Sequence, residues 1–166
     1  MCMMCGDATL AHEFSLVERP AHRLTGRFWS GGFEEAAAGA LHPLIEEAKA
    51  LSARTADQWK SPIVGLTWND RPDGFRYFVG IETEDDTAGE GFDRLDVPAM
   101  RCAGLWHGPE AGTVVDSYGR LMRGLQDAGI ARDQSFCDQR EEYPADIDLS
   151  KPPALRLLLP VRANGD

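Results

Sequence analysis

The chain has 166 residues, of which 43% are hydrophobic and 27% charged. That is the length of one domain, or at most two small halves, and it is enough to bury about two thirds of the extended surface without covalent staples. The 17 basic and 27 acidic residues give a formal charge of −10, a field that repels phosphate backbones and argues against direct nucleic-acid binding.

No apolar run approaches the ~18 residues of a membrane span. The opening Met1-Cys2-Met3-Met4-Cys5-Gly6 has neither the basic region nor the apolar stretch of a signal peptide. The chain therefore reads as cytoplasmic, with reduced thiols and no membrane contact. Residues 1–80 carry 8 basic and 10 acidic groups, and residues 81–166 carry 9 and 17. The acidic excess chiefly keeps such a protein soluble, and it gathers cations modestly.

Residues 1–12 read as a tail. One domain is expected over 13–163, with halves at 13–87 and 91–163. Phe14 to Trp29 alternates well enough for one long strand. Phe33, Ala37, Leu41, Leu44, Ala48 and Leu51 then recur at helical spacing. Pro43 interrupts them, which predicts a kink or two helical pieces with Pro43 in the first turn of the second. Pro62 to Trp68 reads as a strand, Asn69 to Gly74 as a turn, and Phe75 to Glu82 as the returning hairpin strand. The acidic stretch Glu84 to Gly91 links the halves. Leu95 to Trp106 is the next strand. Residues 112–128 form a helix with Val114, Tyr118, Leu121, Met122 and Leu125 on one face, capped by Gly129. Ser135 to Tyr143 and Ala154 to Val161 close the pattern.

An internal repeat organises these elements. Phe14, Pro20, Ala21, Arg23 and Gly26 recur 78 residues later as Phe92, Pro98, Ala99, Arg101 and Gly104. Trp29-Ser30-Gly31 is echoed by Trp106-His107-Gly108. Each half reads β-α-β-β. The expected fold is α+β: two duplicated units related by a pseudo-twofold axis, with an antiparallel sheet and a central ligand cleft.

The order of these motifs resembles the GyrI-like effector-binding domain. That family includes the ligand-binding halves of multidrug-sensing transcription regulators as well as stand-alone proteins. Phe14 to Ala21 is similar to the family's opening strand, and Val64-Gly65-Leu66 with Phe75 to Ile81 to its central hairpin. Val97-Pro98-Ala99 through His107-Gly108, then Ser117-Tyr118, resembles its second-half signature. Glu141-Glu142-Tyr143 followed by Leu157 to Val161 resembles its closing Glu-x-Tyr element. Cys102, Met100, Gly39 and Pro43 depart from the family pattern. The length leaves no room for a helix-turn-helix domain, so the chain is expected to act as a stand-alone member. Any partner regulator is unspecified.

The resemblance implies a lipophilic, cationic organic ligand contacted by a Glu. Glu141 and Glu142 are adjacent on a strand and face opposite sides, so only Glu141 shares a face with Tyr143. A carboxylate lodged among aromatic rings needs a partner charge. A cation supplies it, and the rings add cation–π attraction. The expected ligand-binding residues are Glu141, Tyr143, Trp106, Trp68, Tyr77 and Glu142. Large aromatics such as Trp29 and Trp59 are usually core. His107 suits a structural turn better than a catalytic base. His12, His22 and His42 show no metal-ligand pairing. Cys2 and Cys5 form a lone Cys-x-x-Cys without a second pair, and Cys102 and Cys137 sit singly in strands, so neither a metal nor a cofactor is expected.

Two functions fit this reading. One is a binding module that senses or sequesters a cationic amphiphile. The alternative is a hydrolase of cyclopropane-containing or other electrophilic natural products, with Glu141 activating water and Tyr143 holding the developing oxyanion.

Overall fold

The computed structural model describes residues 14–52, 62–83, 91–152 and 154–162. Eleven elements follow in chain order: β1 (Ser15–Arg19), β2 (His22–Gly32), α1 (Phe33–Ala37), α2 (His42–Ser52), β3 (Ile63–Arg71), β4 (Gly74–Glu82), β5 (Asp93–Val97), β6 (Met100–His107), α3 (Val114–Ala128), β7 (Gln139–Tyr143) and β8 (Leu155–Val161).

Two prolines decide the topology. Proline has no backbone donor for a sheet ladder. Pro20 ends a strand after Arg19, and Pro98 ends its counterpart after Val97. The long strands expected at Phe14–Trp29 and Leu95–Trp106 are therefore each two strands joined by a Pro-Ala link. The repeat holds across the break, since β5 and β6 start 78 residues after β1 and β2. Each half is thus β-β-α-β-β, and its first strand leaves for the other half. β1 pairs with β6, and β5 pairs with β2.

The helical region follows the chain chemistry. Gly39 at φ +95° separates α1 from α2, and Pro43 lies in the first turn of α2. Thr113 caps α3, accepting from the Asp116 amide, and Gly129 ends it in the left-handed region at φ +68°. Ser117, Tyr118, Leu121 and Leu125 are the buried positions of α3, whereas Met122 is turned to solvent. The strand expected from Ser135 begins only at Gln139.

All eight strands form one antiparallel sheet in the order β1-β6-β8-β7-β3-β4-β2-β5. The order reads the same from either end once the halves are exchanged. Its centre is the β3–β7 pair, where Gly65 faces Glu141. The registers of β3–β4 and β7–β8 make these two residues equivalent to each other. The pseudo-twofold axis passes between them.

This order cannot lie flat. β5 and β6 stand six strand spacings apart, roughly 29 Å in a flat sheet. Two residues join them, and three Cα steps reach at most about 11 Å. The same holds for β1 and β2. The sheet must curl until its edges approach, which gives it an inner and an outer face.

The two halves of the inner face are filled differently. In the first half, Leu24, Val64, Leu66, Phe78 and Val97 form an apolar cluster with Met100 against it. The positions equivalent to Val64, Leu66, Val97 and Met100 in the other half are Arg140, Glu142, Arg19 and His22. These four form a polar clasp, with Arg19, Arg140 and Glu142 buried and His22 half-buried. Arg19 grips Glu142 with two bonds, Nε to Oε2 at 2.8 Å and Nη2 to Oε1 at 2.7 Å. Arg140 Nε donates to the same Oε2 at 2.9 Å. Arg140 Nη1 lies 3.1 Å from His22 Nε2, and His22 Nδ1 lies 2.7 Å from the Pro20 carbonyl. If the ring nitrogen donates to Pro20, His22 is neutral and accepts from Arg140, which accords with burial depressing its pKa. The clasp thereby ties the β1–β2 link to the middle of the sheet.

The helices cover the outer face. α2 packs on Ile63, Tyr77, Val79 and Ile81. α3 packs on Ala103, Leu105, Leu155, Leu157 and Leu159. His107, at the end of β6, is buried beneath α3, with Nδ1 2.7 Å from Ser117 Oγ. It joins strand to helix, as a structural role requires. None of the described helices is long and apolar enough to cross a membrane.

Removing one partner of a buried ion pair costs about 3–5 kcal/mol, because the remaining charges stay buried. Glu142→Gln is therefore expected to lose about that much stability in urea unfolding. A loss under about 1 kcal/mol would show that the clasp is dispensable.

Candidate functional site

Strand alternation divides the predicted site residues between the two faces. Directly paired residues share a face, so Glu141 lies with Gly65, Val79, Leu157 and Leu105 on the outer side. Tyr77 and Tyr143 are outer as well, and both belong to the α2-side cluster. Glu142 is paired in register with Arg156, and Arg156 with Trp106, on the inner side. Trp68 belongs to the inner apolar cluster. The expected grouping is corrected accordingly. Glu141, Tyr143 and Tyr77 come together, whereas Glu142, Trp106 and Trp68 lie behind the sheet.

Each of the three inner residues has a local role. Glu142 is held by two guanidinium groups, and despite burial these keep its carboxyl below the usual range. The Trp68 indole donates to the Phe136 carbonyl at 2.5 Å and carries the Arg76 guanidinium 4.6 Å above its ring. Trp106 lies beneath Arg156 at 5.7 Å. Alternation alone separated Glu142 from Tyr143. It could not place the two tryptophans, because their side relative to Glu141 depends on the β3–β7 and β6–β8 registers.

Glu141 occupies the strip between the two helices. Tyr143 packs against both outer clusters and so bridges them. Tyr77 Oη donates to Glu141 Oε1 at 3.0 Å. Tyr143 shares hydrogen bonds with both Glu141 and Tyr77. Gly65 makes the reach possible: a methyl group at that position would overlap the Tyr77 hydroxyl. Tyr118 comes from α3, packs in the same cluster as Tyr143, and feels the Glu141 charge. All three tyrosines of the chain thus gather around one carboxylate.

Among the described residues no Lys, Arg or His pairs with Glu141. Burial pushes its carboxyl up to about 7, against the opposing pull of the Tyr77 and Tyr143 hydrogen bonds. The tyrosine hydroxyls move the other way from ionisation. Burial first, and the Glu141 charge second, hold Tyr77, Tyr118 and Tyr143 above the ordinary phenol range. They remain neutral donors. The arrangement is an anionic centre of adjustable charge in a neutral hydroxyl cage, beside an aromatic row. In that row Tyr77 lies 6.1 Å from Phe75, and Phe75 lies 5.3 Å from Trp29 and 5.8 Å from the exposed Phe33.

No protein-family model and no curated protein matches the sequence. Solved structures do match. SAV2435 bound to tetraphenylphosphonium superposes with a TM-score of 0.71 at 14% identity, over 91% of this chain and 94% of that one. The C-terminal domain of EcmrR gives 0.64 at 15% identity, over 90% and 97%. A hydrolase from Listeria innocua gives 0.54 at 15% identity, over 91% and 92%. The chain shares its fold with SAV2435 and the EcmrR C-terminal domain, which is consistent with the GyrI-like resemblance.

Within this fold, the sequence reading missed Tyr118 beside Glu141, and Phe75 and Trp29 in the aromatic row that runs out from Tyr77. Tyr118 was legible as a buried helix position but not as a site residue, because nothing local says which strands a helix covers. Trp29 and Phe75 were legible only as aromatics on strands. A solvent-open hollow of about 580 Å³ lies at the β1–β6 edge, lined by Glu18, Met100, Arg101, Asp133 and Arg162. It lies off the strip that carries Glu141. Among the described residues no three metal-ligating side chains converge. Cys2, Cys5, His12 and Trp59 lie outside the described residues.

A carboxyl whose folded pKa is raised holds its proton to higher pH than in the unfolded chain. Its stabilising contribution is present below about 4.5 and is lost as pH rises through about 7. The full loss is of order 3 kcal/mol. Glu141→Gln is therefore expected to melt several degrees above wild type at pH 8 and close to it at pH 4. Calorimetry at the two pH values reads this directly, and equal differences at both would contradict the raised pKa.

Proposed function

We propose that this chain binds a lipophilic organic cation on the outer face of the sheet, between α2 and α3, with Glu141 as counter-charge. One observation carries the reading: neighbouring glutamates on one strand have opposite surroundings. Glu142 has two arginines, whereas Glu141 has tyrosine hydroxyls and no basic partner among the described residues. A partly buried carboxylate without a cation is costly, and a cationic ligand removes that cost. The aromatic row supplies apolar area and cation–π attraction for its substituents. The tetraphenylphosphonium carried by SAV2435 is a ligand of this chemistry on the same fold. The biological role that follows is a sensor or a sequestering protein for amphiphilic cations.

A second reading rests on the same residues. A carboxyl with a pKa near 7, hydrogen-bonded to phenols, suits general acid–base work, and the Listeria innocua hydrolase shares the fold. Here Glu141 would deprotonate water for attack on a strained electrophilic ring, and a tyrosine would donate to the departing oxyanion. Turnover of such a compound, lost in both Glu141→Gln and Tyr143→Phe, would favour this reading over simple binding.

The binding test uses quaternary phosphonium cations, whose own charge does not change with pH. At about 100 times the dissociation constant, a ligand stabilises by ~2.7 kcal/mol, a shift of roughly 5–10 °C for a domain of this size. Because the ionised form of Glu141 binds, affinity should rise about tenfold per pH unit below 7 and level off above it. Glu141→Gln should flatten that profile and remove most of the preference for cations over neutral isosteres. Equal thermal shifts for charged and neutral compounds in wild type would sink the mechanism.

A further inference from the structure

The hydroxyl of Tyr118 is buried and has no hydrogen-bond partner. The residue is 8% exposed and sits in the α3-side cluster with Tyr143 against it. Its two counterparts around Glu141 are satisfied. Tyr77 donates to the carboxylate, and Tyr143 shares bonds with both. A buried hydroxyl left unpaired costs about 1–3 kcal/mol, whereas phenylalanine at the same place would cost nothing of the kind. The apolar cluster members packed with it, Leu105, Leu121, Leu125 and Leu157, offer the oxygen no partner. The oxygen therefore serves something outside the apolar packing. The polar group that acts on it most strongly is Glu141, followed by Tyr143 and, behind them, Cys137 and Arg132.

We propose that the ligand carries a hydrogen-bond acceptor, an ether, carbonyl or hydroxyl oxygen, close to its cationic centre, and that Tyr118 donates to this oxygen while Glu141 faces the charge. The inference rests on the cation-binding reading and narrows it from any lipophilic cation to oxygen-bearing ones. Burial first, and the Glu141 charge second, keep the phenol protonated, and a neutral phenol donates more readily than it accepts. Tyr118 is then the residue that separates ligands of equal charge and size, approached from α3, opposite the aromatic row of Tyr77, Phe75 and Trp29.

The test compares two near-isosteric cations, (2-methoxyethyl)triphenylphosphonium and butyltriphenylphosphonium, by titration calorimetry against wild type, Tyr118→Phe and Glu141→Gln. Tyr118→Phe is expected to weaken the ether-bearing cation about 5- to 15-fold and to leave the butyl cation within twofold. It should also melt no lower than wild type without ligand, because it removes an unpaired group. Equal weakening of both cations, no weakening of the ether, or a lower melting temperature of the ligand-free variant would each overturn the proposal. The arms keep the two readings apart. If both cations bind, with affinity lost in Glu141→Gln but unchanged in Tyr118→Phe, only the role of Tyr118 falls. If neither binds, or Glu141→Gln changes nothing, the cation reading falls and this inference with it.

Discussion

Two Pro-Ala links, each too short to cross a flat sheet, are the constraint on which the molecule depends. They bring the strand at one edge of the eight-stranded order within a few residues of the strand next to the opposite edge. A sheet so tethered must roll. Rolling gives it an enclosed face that must be filled and a convex face that two helices cover only in part. The different fates of Glu141 and Glu142 follow directly. Alternation sends one carboxylate into the roll, where it needs arginines, and the other outward into the strip between the helices. The same chemical group becomes an arginine-held anchor or a carboxyl among tyrosine hydroxyls according to the parity of its position.

The duplication is faithful in backbone and unequal in chemistry. Inside the roll, one half is stitched by Val64, Leu66, Val97 and Met100, and the other by Arg140, Glu142, Arg19 and His22. Either solution fills the space. The apolar one needs no hydrogen-bond geometry, while the ionic one is sensitive to the loss of any member. On the axis itself the halves are unequal. Gly65 and Glu141 face each other across β3 and β7, and a side chain at Gly65 would overlap the Tyr77 hydroxyl. Glycine on one strand leaves room for the Tyr77 hydroxyl to reach the carboxylate on the other. The site is thus asymmetric at the point where the scaffold is most symmetric.

Much of the fold was legible because its signals are local or repeated. The Pro-Ala-x-Arg repeat marked the duplication, Gly129 marked the end of α3, and Pro43 marked the break in the helical region. The same Pro-Ala motif was read as part of a strand rather than as its end, so the exchange of β1 and β5 between halves was not foreseen. Hydrophobic alternation continues through the link and hides it. In the candidate site, Glu141 and Tyr143 were legible as sharing a side because parity along one strand fixes it, whereas Tyr77 joins them only through the β3–β7 register. Trp68 and Trp106 were misgrouped, and Tyr118 overlooked, because the face a residue occupies relative to a distant strand depends on register. Register across β3–β7 and β6–β8 is long-range information that no short segment carries.

The exchanged first strands bear on descent. Each half lends its opening strand to the other half's edge, so β2 without β5, or β6 without β1, would present a bare row of backbone donors and acceptors. A half-length ancestor of this topology would have met that need only by trading the strand with a second copy of itself, as in a domain-swapped homodimer. Fusing two such copies into one chain makes the exchange intramolecular and independent of concentration. Fusion also frees the halves to diverge. A symmetric pair must place the same residue on both sides of its axis, and one carboxylate opposite one glycine becomes available only after the two copies share a chain.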